Sequence, residues 1–305
     1  MSQKRDTHPT FSRRHFVGFG AAATVLLGCS QPSDIAEVSV RTPIDFDALE
    51  LRSQGEIGVA AINMATGEVL SHRGDQRFAM CSTFKWLLGA LILRKVDQGD
   101  EDLDRYIQYA KEDLVYHSPE TAPHADGAGM TISQLCSATI RTSDNTAANL
   151  LIASLGGPEG FTAMVRELGD EVTRLDRLEP ALNENAPNDP RDTTTPLAML
   201  GLMQACLFGD VLKDGSRKTL HGWMILANTG LDRLRAGFPA GWLAGDKTGT
   251  SSNRANNDVG FAVAPEGLAQ GPIIVVSFTN VPNPTDSAAN SIHAAIAEDV
   301  CGALI

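Results

Sequence analysis

The longest apolar run in this 305-residue chain, Phe16 to Gly28, is too short to cross a bilayer as a helix, which needs about 20 apolar residues. Basic residues are scarce relative to acidic ones: 25 Lys and Arg face 37 Asp and Glu, a formal net charge of −12. A nucleic-acid partner is excluded on that balance, because its phosphates would be repelled. Beyond Cys29 the cysteines are Cys81, Cys136, Cys206 and Cys301. They are widely spaced singles, in a chain large enough to bury a core without staples, so free buried thiols are expected. The histidines show no metal-ligand spacing, and no metal or other cofactor is expected. Internal repeats and low-complexity tracts are lacking too.

What is present begins with Lys4, Arg5, Arg13 and Arg14 ahead of the apolar run, the pattern of a signal peptide over residues 1–28. Ser12-Arg13-Arg14-His15-Phe16 resembles the twin-arginine export motif. Leu26-Leu27-Gly28-Cys29 is similar to a lipoprotein box in which the cysteine is acylated, with simple cleavage near the same point as the alternative. The expected location is therefore outside the cytoplasmic membrane, in a periplasm or anchored to the cell envelope through Cys29. Residues 29–43 are polar, with two prolines and no apolar period, and read as a tether.

The remainder, 44–305, is long enough for one large unit or two interlocked ones. A helix is expected from Asp45 to Arg52, then a β-hairpin with Gly58–Ile62 and Glu68–Leu70 around Ala65-Thr66-Gly67. From Ser82 the period becomes helical: Phe84, Leu87, Leu88, Leu91 and Ile92 share one face, and Ala147 to Leu155 repeats the device before Gly156-Gly157. Strands return at Trp242–Thr248, Val259–Ala264 and Ile273–Phe278, and a helix closes the chain from about Ser287 to Cys301. Strands at both ends around a helical centre predict an α+β (α/β) fold. In it an antiparallel sheet built from 44–80 and 226–305 packs with helices, and 81–225 forms a helical part.

Three short motifs carry chemistry. In Ser82-Thr83-Phe84-Lys85 the spacing places hydroxyl and amine on one helical face, near a helix N-terminus that favours an alkoxide-like oxygen, and the amine can serve as base. Alone, the same residues read more readily as a helix cap and a solvated lysine. Ser143-Asp144-Asn145 lies between helical segments and also suits a cap. Lys247-Thr248-Gly249-Thr250 ends an apolar strand, where a glycine admits close backbone approach. Each is weak; together, in this order, they are strong.

With these motifs the chain resembles the class A serine β-lactamases and penicillin-binding proteins, for which the three-motif pattern is the known signature. Within that group Arg177-Leu178-Glu179-Pro180-Ala181-Leu182-Asn183 is similar to the class A loop segment in which glutamate and asparagine hold the hydrolytic water. The resemblance implies a β-lactamase/transpeptidase-like fold, a Ser82 acyl-enzyme and β-lactam antibiotics as the small-molecule partners of a monomer. It further implies catalytic roles for Ser82, Lys85, Ser143 and Glu179, and substrate contacts from Asn145, Asn183, Lys247, Thr248, Gly249 and Thr250. Arg177 and Asp192 should pair across the loop base, with Glu179–Pro180 cis. Thr250 and Ser251 are expected to border the site. Two positions depart from the pattern: His117 stands where many members carry an aromatic gate, and Asn256 where many carry a strand arginine for the substrate carboxylate. Arg233 is the expected replacement, with Arg254 as its rival and two solvated surface charges as the alternative. A cell-wall D,D-peptidase and a β-lactam sensor that stays acylated are the competing functions.

Overall fold

The computed structural model describes residues 44–305, so the leader, the tether and the proposed lipidation of Cys29 lie outside the described residues. Helix α1 (Phe46–Ser53) starts where the Asp45 carboxylate accepts the Ala48 N–H at 2.9 Å, and ends at Gln54 in the left-handed region. Strands β1 (Glu56–Asn63) and β2 (Val69–His72) form the expected hairpin, Ile62 opposite Val69. A two-residue strand β3 (Phe78–Ala79) leads into a short 3-10 turn at Cys81–Thr83 and helix α2 (Phe84–Gln98). Gly99, at φ 85, ends α2 with its N–H on Lys95 O and Val96 O, a conformation glycine adopts without a Cβ penalty.

The central block continues with β4 (Tyr106–Ile107), β5 (Met130–Thr131), α3 (Ile132–Arg141), α4 (Asn145–Ser154), α5 (Gly157–Glu167), β6 (Thr193–Thr194), α6 (Pro196–Met203) and α7 (Asp214–Ile225). The pairing of β3 with β6 closes its base. After the single turn α8 (Leu234–Gly237) come β7 (Leu243–Thr250), β8 (Ala255–Val263), β9 (Ile273–Asn280) and α9 (Ser287–Leu304). One five-stranded antiparallel sheet results, ordered β2-β1-β9-β8-β7.

That sheet is covered on both faces. Ala60, Ile62, Ile274, Val276 and Phe278 point into the core shared with α2 and the central helices. Their strand neighbours Ile57, Val59, Ala61, Ile273 and Val275 pack under α9 with Ile292, Ile296 and Val300. Each large apolar side chain removed from water in this way contributes about 1.5–3 kcal/mol. Burial on two faces is why β1 and β9 read as unbroken apolar runs and not as alternation. The four cysteines Cys81, Cys136, Cys206 and Cys301 are buried free thiols.

Two boundaries differ from the sequence expectation. Strand β8 begins at Ala255, four residues before Val259, because Asn256, Asn257 and Asp258 are wholly buried and find hydrogen-bond partners there. Ser82 lies in the turn just before α2 and not within it.

Candidate active site

The Ser82 turn is clamped from three sides. Cys81 adopts φ 47, a conformation that costs of order 1–3 kcal/mol in a non-glycine residue and persists where the surroundings over-determine it. Thr83 donates to Met80 O at 2.8 Å, the Asn257 amide donates to Ala79 O at 2.8 Å, and Met80 N–H donates to Asp192 O at 2.9 Å. On β7, a Cβ at Gly249 would lie 2.6 Å from Met80 O and 2.9 Å from Thr83 N. The glycine of the third motif thus makes room for the protein's own nucleophile turn, not for a ligand backbone.

Lys85 lies one turn on, its side chain wholly buried. Its Nζ is 2.9 Å from Glu179 Oε1, 2.9 Å from Ser143 O, 3.3 Å from Ser143 Oγ and 2.5 Å from Asn145 Oδ1. Burial pushes its pKa down, and the Glu179 carboxylate opposes that shift. Ser143 reaches this position with φ 61. The capping role belongs to Asp144, whose carboxylate takes Ala147 N–H at 2.9 Å and the N–H groups of Glu120 and Thr121, both at 2.9 Å. It thereby ties the start of α4 to the segment bearing His117. That residue sits at φ 63 on the rim, Nε2 2.9 Å from Thr142 O.

The loop from 177 to 192 delivers Glu179. At its base Arg177 Nε is 2.6 Å from Asp192 Oδ2, while Asp192 Oδ1 accepts the N–H groups of Asp176 at 2.7 Å and Arg177 at 3.0 Å. The Glu179–Pro180 bond is cis. Glu179 Oε1 lies 3.4 Å from Ser82 Oγ, and Oε2 accepts Asn183 Nδ2 at 2.5 Å. Asn183 Oδ1 is buried without a protein partner, an acceptor suited to an ordered water beside the carboxylate. Asn149 holds the Glu179 backbone with both ends of its amide, at 2.9 and 3.0 Å. Sequence reasoning missed Asn149; its position four residues after Asn145 on one helix face was the available signal.

The opposite wall is β7. Lys247 is wholly buried behind it, Nζ on Thr248 O at 2.9 Å; burial first, then repulsion from Lys85, holds its pKa at about 7. Thr248 donates to Thr229 Oγ1 at 2.7 Å, a second residue the sequence reading missed, its signal being only its nearness to Arg233. Arg233 enters from before α8, donating to Asn257 O at 2.6 Å and Thr250 Oγ1 at 2.8 Å. Arg254 instead faces a separate groove with Asn185, Asn188 and Asn280. Ser251 is turned inward, its Oγ accepting the N–H groups of Asn253, Arg254 and Ala255, and Ser252 takes its expected place at the rim.

Together these elements enclose a cavity of about 550 Å³, with Ser82, Ser143, Asn145 and His117 on one side and Thr248, Thr250 and Arg233 on the other. Lys85, Glu179 and Lys247 lie beneath its floor. A hydroxyl, a buried lysine and a carboxylate within hydrogen-bonding range of one another, beside a cavity rimmed by donors, have the make-up of a serine acyl-transfer site.

Comparison with known proteins is consistent with that class. Residues 45–304 match the model of the β-lactamase enzyme family. β-Lactamase FAR-1 of Nocardia farcinica (strain IFM 10152) is 44% identical over 260 residues, covering 85% of this chain and 82% of its own. β-Lactamase L2 of Stenotrophomonas maltophilia is 43% identical over 258 residues, covering 81% and 85%. The solved ancestral (GNCA) class A β-lactamase is 50% identical with a TM-score of 0.81 over 85% of this chain and 98% of that one. The putative class A β-lactamase PenP of Rhodopseudomonas palustris is 48% identical with the same TM-score, over 85% and 97%. The chain belongs to the β-lactamase enzyme family, and its fold and relatives place it in class A.

Proposed function

We propose that the protein hydrolyses β-lactam antibiotics through an acyl-enzyme on Ser82 and so protects its host from them. The observation that carries this reading is the shared position of Glu179: one oxygen reaches Ser82 and Lys85, the other Asn183. Lys85 Nζ lies among two carbonyl oxygens, the Glu179 carboxylate and the Ser143 hydroxyl, which together can accept every proton of an ammonium. Glu179 therefore accepts the Ser82 proton as Oγ bonds to the lactam carbonyl carbon. The backbone N–H groups of Ser82 and Thr250 receive the oxyanion. As the C–N bond breaks, Ser143 passes a proton to the ring nitrogen, replenished from Lys85. Lys247 adds positive potential, and Arg233 with Thr250 takes the substrate carboxylate. The proton on Glu179 returns to Lys85, 2.9 Å away, which restores the carboxylate; Glu179 then takes a proton from a water held with Asn183 as that water attacks the ester carbonyl, and passes it to Ser82 Oγ as the ester C–O bond breaks.

A wall peptidase would use the same serine, lysines and Ser143 but leaves Glu179 and Asn183 without a task. Steady-state assay with a chromogenic cephalosporin separates the readings: sustained turnover is expected, and a single stoichiometric burst would show a sensor or peptidase instead. Export by the twin-arginine route and anchoring through acylated Cys29 belong to the same proposal. Cys29→Ser should shift the enzyme from membrane to soluble fractions, because the buried acyl chains are lost. An unchanged soluble distribution in both forms would mean ordinary cleavage.

A further inference from the structure

Helix α3 carries Ser133, Ser137 and Arg141 at intervals of four residues, so two hydroxyls and a guanidinium run along one of its faces. They line a second pocket, of about 350 Å³, together with His124 and with Trp223 of α7. This pocket shares no residue with the main cavity. Its walls are fixed. The N-terminus of α3 is tied by Thr131 and Gln134, whose side chains accept each other's backbone N–H at 3.1 and 2.8 Å. Asp144 holds the N–H groups of Glu120 and Thr121, both at 2.9 Å, and the Arg141 carbonyl accepts Asn228 N–H, just beyond α7, at 3.1 Å.

The walls carry donors that the protein leaves unused. Trp223 is only 8% exposed, yet its indole N–H bonds to no described residue and is not sealed off from solvent. Helical serines commonly turn back on a carbonyl of the preceding turn, as Ser154 does on Leu151 O at 2.7 Å and Ser291 on Ala288 O at 2.8 Å. Ser133 and Ser137 make no such bond. Arg94 and Arg105 each hold a carboxylate, at 2.8 and 2.6 Å; Arg141 holds none among the described residues. Glu120 also lines the pocket, but no ion pair joins it to Arg141. A permanent cation, an indole N–H and two hydroxyls therefore face a space that offers them few acceptors. Arginine's planar fork matches a carboxylate, while Met130, Ala138 and the indole add apolar surface.

We propose that this pocket binds a small carboxylate bearing an apolar group, with Arg141 and the Trp223 N–H receiving the carboxylate and the apolar part lying against Met130 and Ala138. The site is separate from the Ser82 cavity and does not depend on the hydrolase reading.

Benzoate is the probe, and the Trp223 indole N–H is the reporter, assigned in 1H–15N spectra of the full chain by its disappearance in Trp223→Phe. Its resonance should move saturably with a Kd of roughly 1 mM, within reach of a ligand this small. Arg141→Ala and Arg141→Gln should each weaken binding by about 10-fold or more, the equivalent of a charge-assisted bond. Because the side chain is exposed, the unliganded spectra of both variants should otherwise match the parent's. Arg233→Ala, in the main cavity, should leave the Kd within about twofold. No saturable movement, or an unchanged Kd in both Arg141 variants, would overturn the site. Loss of the effect in Arg233→Ala would show a shift relayed from benzoate in the main cavity, and equal affinity for inorganic phosphate would show unselective attraction of anions; either result contradicts the proposal.

Discussion

The two walls of the cavity hold their polar side chains by different physics. Toward the helices, Lys85 and Glu179 form an ion pair at 2.9 Å with both side chains wholly buried. Each charge offsets the desolvation cost of the other, so removing one strands its partner. Toward the sheet, Arg233 is held by a backbone carbonyl, a hydroxyl and a neutral amide, with no carboxylate among them. In the proposed mechanism one wall moves protons and the other holds an anion still. Substitutions in the first should therefore act on kcat, and substitutions in the second on KM.

The largest effect is expected from Ser82→Ala, which should reduce turnover by on the order of 10⁴-fold or more, because the covalent route is lost outright. Residual binding of penicillin, measured by calorimetry on the same variant, should survive. Loss of turnover without any binding would mean that the substitution collapses the site.

The next effect is one of pH. Lys247, with its pKa held at about 7, loses its positive charge as pH rises through that value. kcat/KM, which reports the free enzyme, should then fall about tenfold per unit on the alkaline side. Lys247→Arg keeps the charge at all accessible pH and should move that limb upward. Stability should run the other way. The unfolded lysine, with its usual value of 10.5, binds more protons than the folded one in the window above about 7, so the urea midpoint should rise between pH of about 7 and about 8.5. Parallel falls in activity and stability would indicate unfolding and not loss of the Lys247 charge.

Arg233→Ala should lower kcat/KM for penicillins by roughly 10- to 100-fold, mainly through KM, as expected for a charge-assisted bond to the carboxylate. Arg254→Ala, on the separate groove, should change it less than about twofold. The reverse result would reassign the carboxylate anchor and erase the distinction between the walls.

Much of the first wall was readable in the chain, since Ser82 and Lys85 are a helical turn apart and Ser143, Asp144 and Asn145 are contiguous. The second wall was readable only in outline. Lys247-Thr248-Gly249-Thr250 marked the strand, yet Asn256-Asn257-Asp258 hid the start of β8 because their polar side chains gave no strand signal. Asn290 and His293 lie on a closing helix whose apolar period spoke only for packing. Their partners, Arg233 and Asn256, are 57 and 37 residues away in sequence, and those contacts exist only once β8, β9 and α9 are assembled. The fold itself was legible at both ends because apolar β-branched runs buried on two faces leave few alternatives, whereas the short β3–β6 and β4–β5 pairs carry no period long enough to read.

Glu179 is proposed to act at the water-activating step, and intact-protein mass spectrometry of Glu179→Ala mixed with benzylpenicillin reads that step. With the carboxylate gone, burial favours Lys85 as a neutral amine that can take the Ser82 proton in its place, so acylation should stay detectable while hydrolysis slows by about 10²- to 10⁴-fold, and a penicilloyl adduct on Ser82 persists long after the unsubstituted enzyme has cleared its own. An adduct that clears at the unsubstituted rate, with turnover unchanged, would show that Glu179 does not activate the water.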